Sequence, residues 1–135
     1  MAQLNVKVGG LDLKNPVMTA SGTFGSGLEY SEFVDLNELG AVVTKGVANV
    51  PWPGNPTPRI AETYGGMLNA IGLQNPGVDH VIEHELPEMK KYFNKKVIAN
   101  VSGFSVDDYA YTCNLLDKEV QVGILEVNVS CPNVH

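Results

Sequence analysis

The sequence predicts an α/β fold built on a parallel sheet, and two observations carry that expectation. Four short, nearly all-apolar runs recur along the chain, and amphipathic, helix-like stretches separate them. The runs are Val17-Met18-Thr19-Ala20, Ala41-Val42-Val43-Thr44, Val97-Ile98-Ala99 and Ile124-Leu125-Glu126-Val127. Runs without alternation suit strands covered on both faces, as in a parallel sheet with right-handed crossovers.

The chain opens differently. Leu4, Val6 and Val8 alternate with polar residues, Gly9-Gly10 supplies a turn, and Leu11 and Leu13 alternate again, which reads as a small hairpin. After the first apolar run, Glu29 to Leu39 carries Tyr30, Phe33, Val34 and Leu36 among acids and is expected to be helical. Val47 to Gln74 is rich in Gly, Pro and Asn and reads as one long loop, of a length that is usually functional or disordered. Val78 to Phe93 spaces Val78, Val81, Ile82, Leu86, Met89 and Phe93 by three and four, with Pro87 expected to break the helix or begin a second one. Ser105 is a candidate N-cap with Asp108 three residues on, ahead of a stripe of Val106, Tyr109, Ala110, Cys113 and Leu116.

Composition narrows the function. The 135 residues hold 9 Lys+Arg against 15 Asp+Glu, a net charge of −6, and 44% apolar residues. That balance suits one folded domain over residues 1–135. No basic run exceeds the pairs 90–91 and 95–96, which argues against nucleic acid as a partner. No apolar stretch approaches the roughly 18 residues of a membrane span, and the first ten residues lack the pattern of a secretory signal. Two cysteines, Cys113 and Cys131, fit a reducing cytoplasm better than a disulfide framework. The imidazoles are His80, His84 and His135. The first two are four apart on a predicted helix, yet a solvated acidic face is the commoner meaning, so no metal site is expected.

Chemistry is expected where the strands end. Each run is followed by a hydrogen-bonding residue, namely Ser21, Lys45, Asn100 and Asn128, and in parallel α/β architectures ligands lie at the carboxyl ends of the strands. Small polar residues also simply terminate strands, which accounts equally well for Ser21. Lys45, between Val-Val-Thr and Gly46, must leave an apolar strand, and a desolvated ammonium needs an anionic partner. Gly22, Gly25, Gly27 and Gly46 leave room for a ligand beside the backbone, although their spacing is neither a dinucleotide fingerprint nor a phosphate loop. Cys113 lies on a helical stripe and reads as an inert core thiol. Cys131, in Asn128-Val129-Ser130-Cys131-Pro132-Asn133, lies past a strand and reads as a general base or nucleophile.

Taken together, four segments resemble the dihydroorotate dehydrogenase family. They are Asn15-Pro16-Val17-Met18-Thr19-Ala20-Ser21-Gly22-Thr23-Phe24-Gly25, Thr44-Lys45-Gly46, Asn69-Ala70-Ile71-Gly72-Leu73-Gln74-Asn75-Pro76-Gly77 and Asn128-Val129-Ser130-Cys131-Pro132-Asn133, in the family's order. The cysteine, where membrane-associated members carry serine, points to the soluble class 1 enzymes. The hairpin and Ala20-Ser21-Gly22-Thr23-Phe24-Gly25 resemble the NAD-linked subtype. The resemblance implies a TIM (β/α)8 barrel that binds FMN and oxidises dihydroorotate to orotate in pyrimidine synthesis. It implies Cys131 as the general base. Lys45, Asn69, Ala70, Ile71, Gly72, Leu73, Asn128 and Asn133 are implied to bind substrate. Ser21, Lys45, Gly46, Asn100 and Asn128 are implied to bind FMN. A separate subunit with FAD and an iron–sulfur cluster would take electrons onward, and a homo-oligomer is expected. A complete barrel takes about 250 residues, so the chain corresponds to the N-terminal half, about four β/α units preceded by the hairpin. The flavin phosphate site, on the loops after strands seven and eight, is expected to lie outside it. Two other readings are a non-catalytic half-barrel that self-associates and a related dihydropyrimidine-oxidising flavoprotein.

Overall fold

A computed structural model describes residues 2–133 of the chain; His135 lies outside them. The opening hairpin is present as β1 (Val6–Val8) and β2 (Leu11–Leu13), antiparallel with Val6 opposite Leu13. Gly9 and Gly10 both have positive φ, at 53° and 86°, as a two-residue turn matched to the strand twist requires.

Four extended segments then lie side by side in chain order. Met18 bridges Ala41, and Val43 and Val47 bridge Ile98 and Val101 of β5 (Val97–Val101), all parallel. Strand β5 pairs along its length with β6 (Val122–Val127), also parallel. The first two apolar runs are held by these single bridges rather than by full ladders. The expectation of strands covered on both faces holds for Ala41–Thr44 and β5, which are buried throughout. It fails at the two outer segments, where Val17 and Met18 are 57% and 43% exposed and Val127 is exposed as well. These segments have a sheet neighbour on one side among the described residues.

Period-two alternation sorts the sheet into two faces, and one extra residue between Val43 and Val47, which bridge Ile98 and Val101, brings Val47 to the face of Val42. On one face Val42, Val47, Val97, Ala99 and Val101 pack against Val78, Val81, Leu86, Met89, Phe93 and Leu116 from the helices. On the other, Ala41, Val43 and Ile98 pack with Leu13 of the hairpin, and Val6, Leu11 and Ile124 close the cluster. The hairpin therefore covers the apolar end of that second face. Gly40 allows the first two segments to meet: its N–H donates to Val17 O at 2.8 Å, and a Cβ there would stand 2.0 Å from Asn15 O. Gly40→Ala is expected to destabilise the chain by about 3 kcal/mol, read as a fall of about 10 °C in the thermal midpoint. An unchanged midpoint would show that the first segment is not held there.

Two helical expectations need correction. Glu29 to Leu39 is not a helix but a series of three-residue turns from Phe24 onward, closed by a 3-10 turn at Leu36–Glu38. Of its apolar residues only Leu36 is buried, while Phe33 and Val34 are exposed, so no continuous stripe pays the ordering entropy of a helix. Pro87 stands in the first turn of a second helical segment, one of the two outcomes expected of it. A π turn at Val81–Glu85 joins α1 (Val78–His80) to α2 (Leu86–Met89), and the wider turn accommodates the missing N–H near the start of α2. Helix α3 (Val106–Leu116) starts with the expected Ser105 cap, and Asp108 returns the bond to the Ser105 N–H as a capping box. Its buried stripe runs through Tyr109, Thr112, Cys113 and Leu116, whereas Val106 and Ala110 are exposed.

The long loop is also more ordered than expected. It contains a second hairpin, β3 (Ile60–Thr63) and β4 (Gly66–Asn69), turning at Tyr64-Gly65. Asn75, buried, fastens the excursion at its base. Its Oδ1 accepts from Ala48 N and Gly77 N, its Nδ2 donates to Leu73 O, and its backbone pairs with Trp52.

Candidate active site

The second face of the sheet changes character along its length. Val43, Ile98 and Ile124 lie against the hairpin, and two residues further along each strand stand Lys45, Asn100 and Glu126. The same alternation that buries the apolar set therefore delivers three polar groups to one level at the carboxyl end. With the loops around them they line a cavity of about 650 Å³.

Lys45 is half-buried, and among the described residues neither an ion pair nor a hydrogen bond satisfies its ammonium. Burial pushes its pKa below the ordinary lysine value, and the electrostatic pull of the nearby Cys131 opposes that by favouring the charged form. The cost of holding the cation is felt at neutral pH and is lifted as pH rises toward the ordinary lysine value. Gly22, with φ of 82°, makes the room: a Cβ there would stand 3.3 Å from Lys45 Nζ.

Cys131 owes its place to the strand end before it. Asn128 N donates to Val101 O at 2.8 Å, Tyr109 OH donates to Asn128 O at 2.5 Å, and Asn128 Oδ1 accepts from Ser130 N at 3.2 Å. This local turn carries the free, partly exposed thiol onto the cavity wall. The second hairpin forms the facing wall. Asn69, at the end of β4, accepts from Asn133 Nδ2 at 3.3 Å, while Asn55 Nδ2 donates to Asn133 O and Ala70 O, each at 2.9 Å. Leu73 has φ of 55°, unusual for a branched side chain and the mark of a backbone held by its surroundings.

Of the residues singled out in the sequence, Ser21, Lys45, Asn69, Ile71, Gly72, Leu73, Asn100, Asn128, Cys131 and Asn133 line the one cavity. Ala70 and Gly46 do not. Ala70 uses its backbone within the hairpin segment, donating to Arg59 O and accepting from Asn55. Gly46 is buried, and a Cβ on it would stand 2.7 Å from both Asn100 Oδ1 and Ser102 Oγ. Those two oxygens are buried and lack a hydrogen-bond partner. An unpaired acceptor and hydroxyl beside a glycine form a cradle suited to a polar, flat ligand.

Sequence reasoning overlooked Thr23, Ile60, Met67, Ser102 and Glu126. Ile60 and Met67 required recognition of the second hairpin, which Thr63-Tyr64-Gly65-Gly66 signals as Gly9-Gly10 signals the first. Glu126 was visible as an acid inside an apolar strand.

The family model for dihydroorotate dehydrogenase matches residues 3–135. The chain belongs to the dihydroorotate dehydrogenase family. It is 61% identical over 138 residues to a dihydroorotate dehydrogenase B (NAD(+)) catalytic subunit of Alkaliphilus metalliredigens, covering 99% of this chain and 44% of that protein. The corresponding subunit of Lachnoclostridium phytofermentans is 65% identical over 130 residues, covering 96% of this chain and 43% of the relative. The chain thus spans less than half the length of the curated relatives it matches. Among solved structures, an Eimeria tenella DHODH in complex with ferulenol superposes with a TM-score of 0.74 at 22% identity, over 98% of this chain and 38% of that one. That likeness is one of fold. Among the described residues no helix is long and apolar enough to cross a membrane, and no cluster of three or more His, Cys, Asp or Glu could hold a metal.

Proposed function

We propose that this chain is the part of an NAD-linked, FMN-dependent dihydroorotate dehydrogenase that carries the general base and the substrate amides. It corresponds to about four β/α units of an eightfold barrel, with the hairpin covering the amino end of its inner face. The observation that carries the reading is the convergence of Lys45, Asn69, Asn128, Cys131 and Asn133 on one cavity. The site would serve dihydroorotate oxidation to orotate within pyrimidine synthesis in the cytoplasm.

Each group has work suited to its chemistry. Orotate and dihydroorotate carry a carboxylate, and Lys45 holds a half-buried ammonium without a counter-ion among the described residues. Their rings present imide-like donors and acceptors, which the amides of Asn69, Asn128 and Asn133 can match on both edges. Cys131 takes the C5 proton. Its departure supplies the electron pair for the C5–C6 double bond as C6 loses a hydride. FMN, when bound, supplies the acceptor for that hydride. Ser21, Lys45, Gly46, Asn100 and Asn128 would hold the flavin, and the unpaired Asn100 Oδ1 and Ser102 Oγ beside Gly46 fit its polar edge. Electrons would then pass to a separate subunit bearing FAD and an iron–sulfur cluster, and the assembled enzyme would be a homo-oligomer of such pairs.

The deciding measurement is the visible spectrum of the purified protein with FMN, before and after orotate. A flavin band that shifts on adding orotate, and far less on adding uracil, is the expected result. Failure to take up flavin together with failure to bind orotate would favour a self-associating, idle half-barrel. A stronger response to uracil would favour a dihydropyrimidine-oxidising relative.

A further inference from the structure

Glu126 stands on β6 directly opposite Asn100 on β5, and its Oε1 accepts from Asn100 Nδ2 at 2.5 Å. An amide side chain has two ends, and a carboxylate can only accept. The contact therefore fixes which end of Asn100 faces which way. Nδ2 turns toward Glu126, and Oδ1 is left buried and unpaired, close to Gly46 and Ser102 Oγ. With Asn100 only 3% exposed, a free acceptor there costs stability unless a ligand donor meets it.

We propose that Glu126 is a positioning residue that locks the Asn100 amide so that the flavin-side wall presents an acceptor, selecting ligands that bring an N–H or O–H donor. The inference rests on the proposed flavin site for its ligand, but the locking of the amide stands on the strand pairing alone. Glutamine at 126 retains an acceptor oxygen and can keep the lock. Alanine removes it, which frees the amide to turn its Nδ2 toward Ser102 Oγ.

The test has two arms on the full chain, in the wild type, Glu126→Ala and Glu126→Gln. In the first, the Asn100 side-chain amide is followed by 15N-resolved NMR, assigned through Asn100→Ala. A wild-type proton shifted downfield by the carboxylate, lost in Glu126→Ala and largely kept in Glu126→Gln, is expected. In the second, FMN is titrated by fluorescence quenching. Affinity is expected to fall about tenfold in Glu126→Ala, as for one lost hydrogen bond in a desolvated site, and to recover in Glu126→Gln. Unchanged Asn100 signals in Glu126→Ala would overturn the lock, whether or not flavin binds. A lock seen by NMR with equal FMN affinity in all three proteins would overturn the selection of the ligand. Absence of FMN binding to the wild type, with the lock intact, would count against both the selection and the flavin reading while leaving the amide lock established.

Discussion

Replacing Cys131 by serine is expected to lower dihydroorotate turnover at neutral pH by about 10²- to 10⁴-fold, the range that a positioned general base contributes. The substitution exchanges one atom, and the turn that sets the residue uses the Asn128 side chain and backbone rather than the sulfur. Orotate affinity should therefore stay within about threefold, because the amides and Lys45 are untouched. The physical reason for the loss is basicity. A thiol can supply a thiolate near neutral pH, whereas a serine hydroxyl is a far weaker acid and needs a separate base. Single-turnover flavin bleaching in the enzyme that carries this chain is the measurement. A rate within a few-fold of wild type would remove Cys131 from proton transfer.

Lys45→Met is expected to weaken orotate about 30- to 100-fold while changing uracil affinity by less than about threefold, as for loss of one charge-assisted contact. The comparison isolates the carboxylate, which only orotate carries. The pH dependence has a definite sign. Burial lowers the Lys45 pKa, and an anionic ligand binds the protonated form. Orotate affinity should thus be full below that lowered pKa and fall as pH rises through it, and the Met variant should lose this dependence. Calorimetric titration at several pH values distinguishes the outcomes. Equal losses for orotate and uracil would show that Lys45 shapes the cavity rather than pairing with the carboxylate. Met also removes the cost of a half-buried cation, so the variant should fold at least as stably as the wild type.

Much of the molecule is written locally. Val6 to Leu13 alternate around two glycines, and this hairpin forms as read. Ser105 and Asp108 form a capping box as their spacing requires. Asn100, Asn128 and Lys45 follow apolar runs, and they line one cavity at the strand ends. The hairpin, the cap and the run-then-polar pattern are short in range, set by residues a few positions apart, so periodicity and capping chemistry suffice to find them. Where burial decides, sequence pattern misled. Phe33 and Val34 looked like a helical stripe but face solvent, and the chain makes turns there instead. Gly65-Gly66 marked a hairpin inside what read as a loop, yet its strands are exposed throughout and carry no clear apolar face.

By itself, the sequence determined the first hairpin, the capped helix, the family-like motifs and the polar residues that follow the apolar runs. Tertiary structure alone decided what those residues do to one another. Which side chains share a level depends on register between strands far apart in the chain, as with Asn100 opposite Glu126 across 26 residues. Whether a cation is partnered depends on what packs around it, and Lys45 shares a cavity with Cys131 only because loop and sheet converge. Spacing along a chain fixes direction and period, whereas distance, burial and unpaired acceptors exist only once separate segments have packed.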